Sequence, residues 1–97
     1  MRMLMTVQMD TEASSASIRD GSLPKVMEST LSRLHPEAAY FTTHDGCRTA
    51  YIFFDMQESS QMPQMAEPLF GAMKAKIDIT PVMNADELQE GLSRLMS

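Results

Sequence analysis

The sequence has no tryptophan and a single cysteine, Cys47. One thiol closes no intramolecular disulfide, so packing alone must hold the fold, and a lone thiol suits a reducing compartment. Four glycines and five prolines leave no low-complexity segment and no flexible linker. Long apolar runs are missing too. The longest, Ala50 to Phe54, falls far short of the roughly 20 residues a membrane helix needs. The stretch Met1 to Met9 is interrupted by Arg2, Thr6 and Gln8, and it lacks the apolar centre and cleavage site of a signal peptide. Basic residues are few, 8 against 13 acidic, and they are scattered singly, for a net charge of −5. Such a chain has no basic surface with which to grip nucleic acid or anionic lipid. The expectation is a cytoplasmic protein with no nucleic-acid and no membrane partner.

What is present fits one α+β domain spanning residues 1–97. A chain this short buries only about 60–65% of its unfolded surface, so its core is thin and a second subunit would help. Met3 to Met9 alternates, with Met3, Met5, Val7 and Met9 on one face, and reads as a strand. Asp10 or Thr11 caps a weak helix to Arg19. Asp20-Gly21-Ser22 interrupts it, and a clearer helix carries Leu23, Val26, Met27, Thr30, Leu31 and Leu34 on one face until His35-Pro36 ends it. Glu37 to Thr43 and Arg48 to Met56 read as strands joined at His44-Asp45-Gly46-Cys47, where Asp-Gly is a hairpin signal. After a Ser59-Ser60 cap, Met62, Met65, Ala66, Leu69, Phe70 and Met73 form a helical stripe, which Pro68 should kink or split. Lys76 to Met83 is a strand, with Ile77, Ile79 and Met83 on one face. Pro81 makes it an edge strand or ends it early. Asn84 with Glu87 opens a last helix whose apolar face is Ala85, Leu88, Leu92, Leu95 and Met96.

The order β-α-β-β-α-β-α is that of the ferredoxin-like βαββαβ arrangement with a C-terminal helix: two helices over one face of a four-stranded antiparallel sheet. The strand Arg48 to Met56 adds a demand. Thr49, Tyr51, Phe53 and Asp55 point one way, and Ala50, Ile52 and Phe54 the other. Both sets are largely apolar, whereas a sheet with one solvated face shows polar residues on that side. Something must cover the second face, and a second copy of the chain, sheet against sheet, is the simplest cover.

Four stretches carry a resemblance: D-G-S-L-P-K at Asp20–Lys25, P-E-A-A-Y-F-T at Pro36–Thr42, R-T-A-Y-I-F-F-D at Arg48–Asp55 and T-P-V-M-N at Thr80–Asn84. With these, nearly the whole chain is similar to small bacterial proteins of the dimeric α+β barrel superfamily. That superfamily includes muconolactone isomerase-like proteins and cofactor-independent monooxygenases of antibiotic biosynthesis. The resemblance implies the fold and a homodimer. It transfers no catalytic residue, because no catalytic motif matches position by position.

The residues themselves point to one surface. Thr49, Tyr51, Phe53 and Asp55 share a strand face, as do Tyr40 and Thr42 on the neighbouring strand. If the registers match, two phenols, two hydroxyls and a carboxylate sit on an apolar floor, the usual make-up of a small-molecule pocket. Tyr40, Thr42, Thr49, Tyr51 and Phe53 are the expected ligand contacts. Asp55, Tyr51 and Tyr40 are the only candidates for proton transfer, with Asp55 a base if burial raises its pKa. Other residues carry less. His35 and His44 lack metal-ligand spacing, and no metal or cofactor is expected. Cys47 has Arg48 beside it and His44 three residues away, but no resolving cysteine. Met1, Met3 and Met5 put thioethers on one strand face, a pattern that deformable core packing explains as well as copper(I) does. Lys25, in the first turn after Ser22, and Arg48 are the cations nearest a site. Three functions follow: a homodimer binding a small apolar or aromatic molecule, a cofactor-independent isomerase or monooxygenase acting on an aromatic or polyketide-like substrate, and a structural or interaction module.

Overall fold

Alternation at the N-terminus becomes β1, Arg2–Gln8, in the computed structural model, which describes residues 1–97. Met3, Met5 and Val7 turn inward, and β1 runs antiparallel to β3, Cys47–Asp55, with Met5 opposite Ile52. On the far side of β3 lies β2, Ala38–His44, and on the far side of β1 lies β4, Lys76–Pro81. The sheet is antiparallel with order β2-β3-β1-β4. Three helices, α1 (Thr11–Arg19), α2 (Ser22–Leu34) and α3 (Met62–Met73), pack with the Met3, Met5, Ile52 and Phe54 face of the sheet. This is the expected α+β, ferredoxin-like arrangement.

Each turn is set by local chemistry. Asp10 caps α1 by accepting from the Ala13 amide at 2.9 Å. Gly21, at φ 81, makes the left-handed corner into α2, and His35, at φ 46, ends that helix before Pro36. Asp45 (φ 52) and Gly46 (φ 74) form the two-residue hairpin joining β2 to β3. α1 buries no large apolar side chain; its inward residues are Ser14 and Ser17. The Ser17 hydroxyl donates to the carbonyls of Ala13 and Ala72, so a small side chain lets α1 approach α3 closely.

The structure corrects several local expectations. The ends of β1, β2 and β3 lie one residue from the alternation pattern, because alternation marks faces rather than ladder ends. Met9 and Met56 stay buried just beyond their strands. β4 stops at Pro81, so Met83 does not join Ile77 and Ile79 but is 65% exposed. The third helix is not capped by Ser59-Ser60. A single 3-10 turn, Ser59–Gln61, precedes it, and Glu58 with Gln61 forms the capping box. Pro68 does not split α3, which runs unbroken from Met62 to Met73. Proline lacks the N–H that the Gln64 carbonyl would accept. Arg33 of α2 donates to that carbonyl instead, at 3.3 Å.

The last helix, α4 (Ala85–Met96), starts with the expected box: the Glu87 amide donates to Asn84 Oδ1 at 2.8 Å, and the Asn84 amide to Glu87 Oε1 at 2.9 Å. Every residue of α4 is exposed, including Leu88, Leu92, Leu95 and Met96. No helix is long and apolar enough to cross a membrane.

Candidate functional site

The register places the expected contacts row by row on the sheet face opposite the helices. Tyr40 lies directly across from Tyr51, and Tyr51 across from Thr6 of β1. One row towards the hairpin, Thr42 pairs with Thr49; one row the other way, Ala38 pairs with Phe53, which faces Leu4. Tyr40, Thr42, Thr49, Tyr51 and Phe53 therefore form one patch, and Leu4 and Thr6 extend it. Tyr51 and Phe53 are half-buried, Tyr40 is 63% exposed and Thr49 is buried, its hydroxyl donating to the Cys47 carbonyl. No large cavity is built from the Tyr40, Tyr51 and Phe53 side chains within one chain; they make an open floor.

Asp55 shares this face but not this place. It ends β3 four residues beyond Tyr51, roughly 14 Å along a strand. Its side chain is 63% exposed and accepts from the N-terminal ammonium at 2.7 Å and from Gln57. Hydrogen bonding to that ammonium, and then its charge, hold the Asp55 carboxyl below the ordinary value. Burial, the condition for a raised pKa, is not met. Beside Asp55, Arg2 bonds Glu37 and Glu87, each at 2.9 Å, and these two carboxylates, Glu37 foremost, keep it firmly protonated. The end of the sheet is thus a charge network that ties the first turn of α4 to β1.

The remaining candidates separate. Met3 and Met5 are core residues, whereas Met1 is 73% exposed. His44 sits across the hairpin from Cys47, and its Nε2 lies 3.4 Å from Asp45. The Cys47 thiol lies 3.9 Å from the Thr11 hydroxyl and 3.7 Å from the Asp45 carbonyl. Ahead of Lys25, Asp20 already accepts from the Ser22 amide at 2.8 Å, and its hydrogen bonding with Ser22 lowers its pKa. That first turn is therefore partly occupied by the chain's own carboxylate.

A groove lies where helices and sheet edge meet. Around the β2 edge of the sheet, Met9, Ile18, Leu23, Phe41 and Arg48 from the helix side, with Thr42 and Thr49 of the open-face patch, line this groove of about 300 Å³. Arg48 reaches from β3 to α1, where its Nη1 donates to Ser14 Oγ at 2.8 Å, Ser15 Oγ at 3.0 Å and the Thr11 carbonyl at 3.4 Å. The sequence signal was the serine pair in α1, which reads only as weak helix until the sheet brings Arg48 against it. No family model, no curated protein and no solved structure matches the chain.

Proposed function

We propose that the chain acts as a homodimer of the dimeric α+β barrel type. Its two open sheet faces turn toward each other and enclose a crevice that holds a small apolar or aromatic molecule. The observation that carries this reading is excess surface. One chain exposes 6522 Å² for a mass of 10.9 kDa, whereas a compact monomer of that mass exposes roughly 5,600 Å². The difference is close to the roughly 800 Å² each partner loses in an ordinary protein interface. The radius of gyration, 15.4 Å, likewise exceeds the roughly 12.5 Å of a compact chain this long. Two apolar surfaces lie uncovered: the Leu4, Tyr51 and Phe53 floor and the Leu88, Leu92 and Leu95 stripe of α4. A second copy supplies cover for both. The resemblance of the four sequence stretches points to the same assembly.

Binding without chemistry is the better reading of the crevice. Tyr40 and Tyr51 stand beside apolar and hydroxyl neighbours, while Asp55 is at the strand end, exposed and already paired. An isomerase or monooxygenase would need a proton acceptor beside the phenols, whereas the carboxylate in their row, Asp78 of β4, lies across from Thr6, two strands away from Tyr51, and is exposed. Sedimentation equilibrium of the full chain at micromolar concentration tests the assembly. The expected species has twice the 10.9 kDa chain mass, and a monomer overturns the proposal. Phe53→Glu should weaken association by about tenfold or more, because it buries an unpaired charge at the interface.

A further inference from the structure

Arg48 is a half-buried arginine that takes no part in any ion pair, although the chain carries 13 acidic residues against 8 basic ones. Arg2, the other half-buried arginine, is held by two carboxylates. All of Arg48's side-chain hydrogen bonds are donated by Nη1, to two serine hydroxyls and a carbonyl. Those acceptors fix the guanidinium plane without neutralising it. The Nε and Nη2 hydrogens have no acceptor in the chain, and that edge of a guanidinium is one that meets a carboxylate with two parallel hydrogen bonds. Arg48 lines the groove together with Met9, Ile18, Leu23 and Phe41. Ile18 is 48% and Phe41 56% exposed, so apolar surface stands open beside the free cation edge.

We propose that this groove binds a small carboxylate with an apolar body, the carboxylate on Arg48 and the body against Ile18, Leu23 and Phe41. The chemistry follows from the pairing of one unneutralised fork with an apolar wall. A net charge of −5 repels anions from most of the surface, so binding depends on that single local cation. The volume, about 300 Å³, is at the lower end of small-molecule sites, which run roughly 300–1,000 Å³, and matches a body of one ring or a short chain. The groove shares Thr42 and Thr49 with the open-face patch, but its cation and its apolar wall of Ile18, Leu23 and Phe41 lie on the helix side, so it goes beyond the dimer reading.

The test is an amide-shift titration of the full-length protein with two probes, 4-phenylbutyrate and its uncharged amide. The acid should bind about tenfold or more tighter than the amide, as expected when a charge-assisted contact is lost. Its shifts should map to Ile18, Leu23, Phe41 and Arg48. Arg48→Gln should abolish the preference for acid and leave amide binding unchanged; Phe41→Ala should weaken both probes. Equal affinity for the two probes, no binding of the acid, or shifts confined to Thr6 and Tyr51 on the open face would each overturn the proposal. The acid–amide comparison on the unaltered chain stands even if Arg48→Gln fails to fold.

Discussion

Ser17 shows how much a single small residue decides in this chain. It is 6% exposed, and its hydroxyl bonds carbonyls on both α1 and α3. A larger side chain there must push the helices apart. Ser17→Leu should therefore destabilise the fold by roughly 1–3 kcal/mol, read as a lower urea midpoint at unchanged slope. Ile52, wholly buried under the helices, tests the opposite error. Ile52→Ala leaves a cavity and should cost about 2–5 kcal/mol, a large share of what a domain of this size has. Glu87 is the residue whose titration matters for α4. The Asn84 amide first, and Arg2 as well, hold its carboxyl below the ordinary value. A depressed carboxylate adds stability that is complete above its unfolded pKa and lost as the pH falls through its lower folded value. The first turn of α4 should therefore keep its helical carbon shifts above roughly pH 5 and lose them only below the ordinary glutamate value of roughly 4.3. In Glu87→Gln that loss should vanish.

At the scale of elements, α3 and α4 contrast. α3 is interrupted in sequence by Pro68 yet continuous in space, because α2 supplies Arg33 to the carbonyl that proline leaves open. Pro68→Ala should stabilise the chain by roughly 1–3 kcal/mol, less than or equal to the full interior-proline penalty of about 3 kcal/mol. The cost of Arg33→Ala should shrink in the Pro68→Ala background, and a double-mutant cycle measures that coupling. α4 is regular in sequence, with a complete capping box and an amphipathic stripe, yet it packs no residue into the core. A helix of this length is marginal alone in water, so its apolar stripe calls for a partner surface. The strand elements obey simpler rules. Central β1 and β3 carry the buried residues, while β2 and β4 are edges, and Pro81 marks the end of β4 where no further ladder bond is needed.

At the scale of the whole molecule, the single chain is longer than its mass requires, 56 × 28 × 18 Å. Its core is one cluster between the helices and one sheet face, and the other face is left to solvent. In the proposed dimer, whose second copy covers both that face and the α4 stripe, Leu92→Glu should weaken association by about tenfold or more. A sedimentation series over concentration measures this, and an unchanged dissociation constant would place α4 outside the interface.

The sequence by itself determined the order of the strands, the cap at Asn84, the Asp45-Gly46 hairpin and the inward faces of β1 and β3, and it narrowed the first cap to Asp10 or Thr11. These depend on interactions a few residues apart, or on a period of two, and both are visible in a linear string. It also marked the double-sided apolar character of Tyr51, Phe53, Ile52 and Phe54. Only the tertiary structure decided which of these residues meet. Register set Tyr40 against Tyr51 and left Asp55 apart at the strand end, paired with a terminus 54 positions away. The same long-range folding brought Arg48 against Ser14 and Ser15, more than thirty positions earlier, and rescued the helix at Pro68 through Arg33. Charge partners and cavities are contacts across the fold, and no local periodicity encodes them.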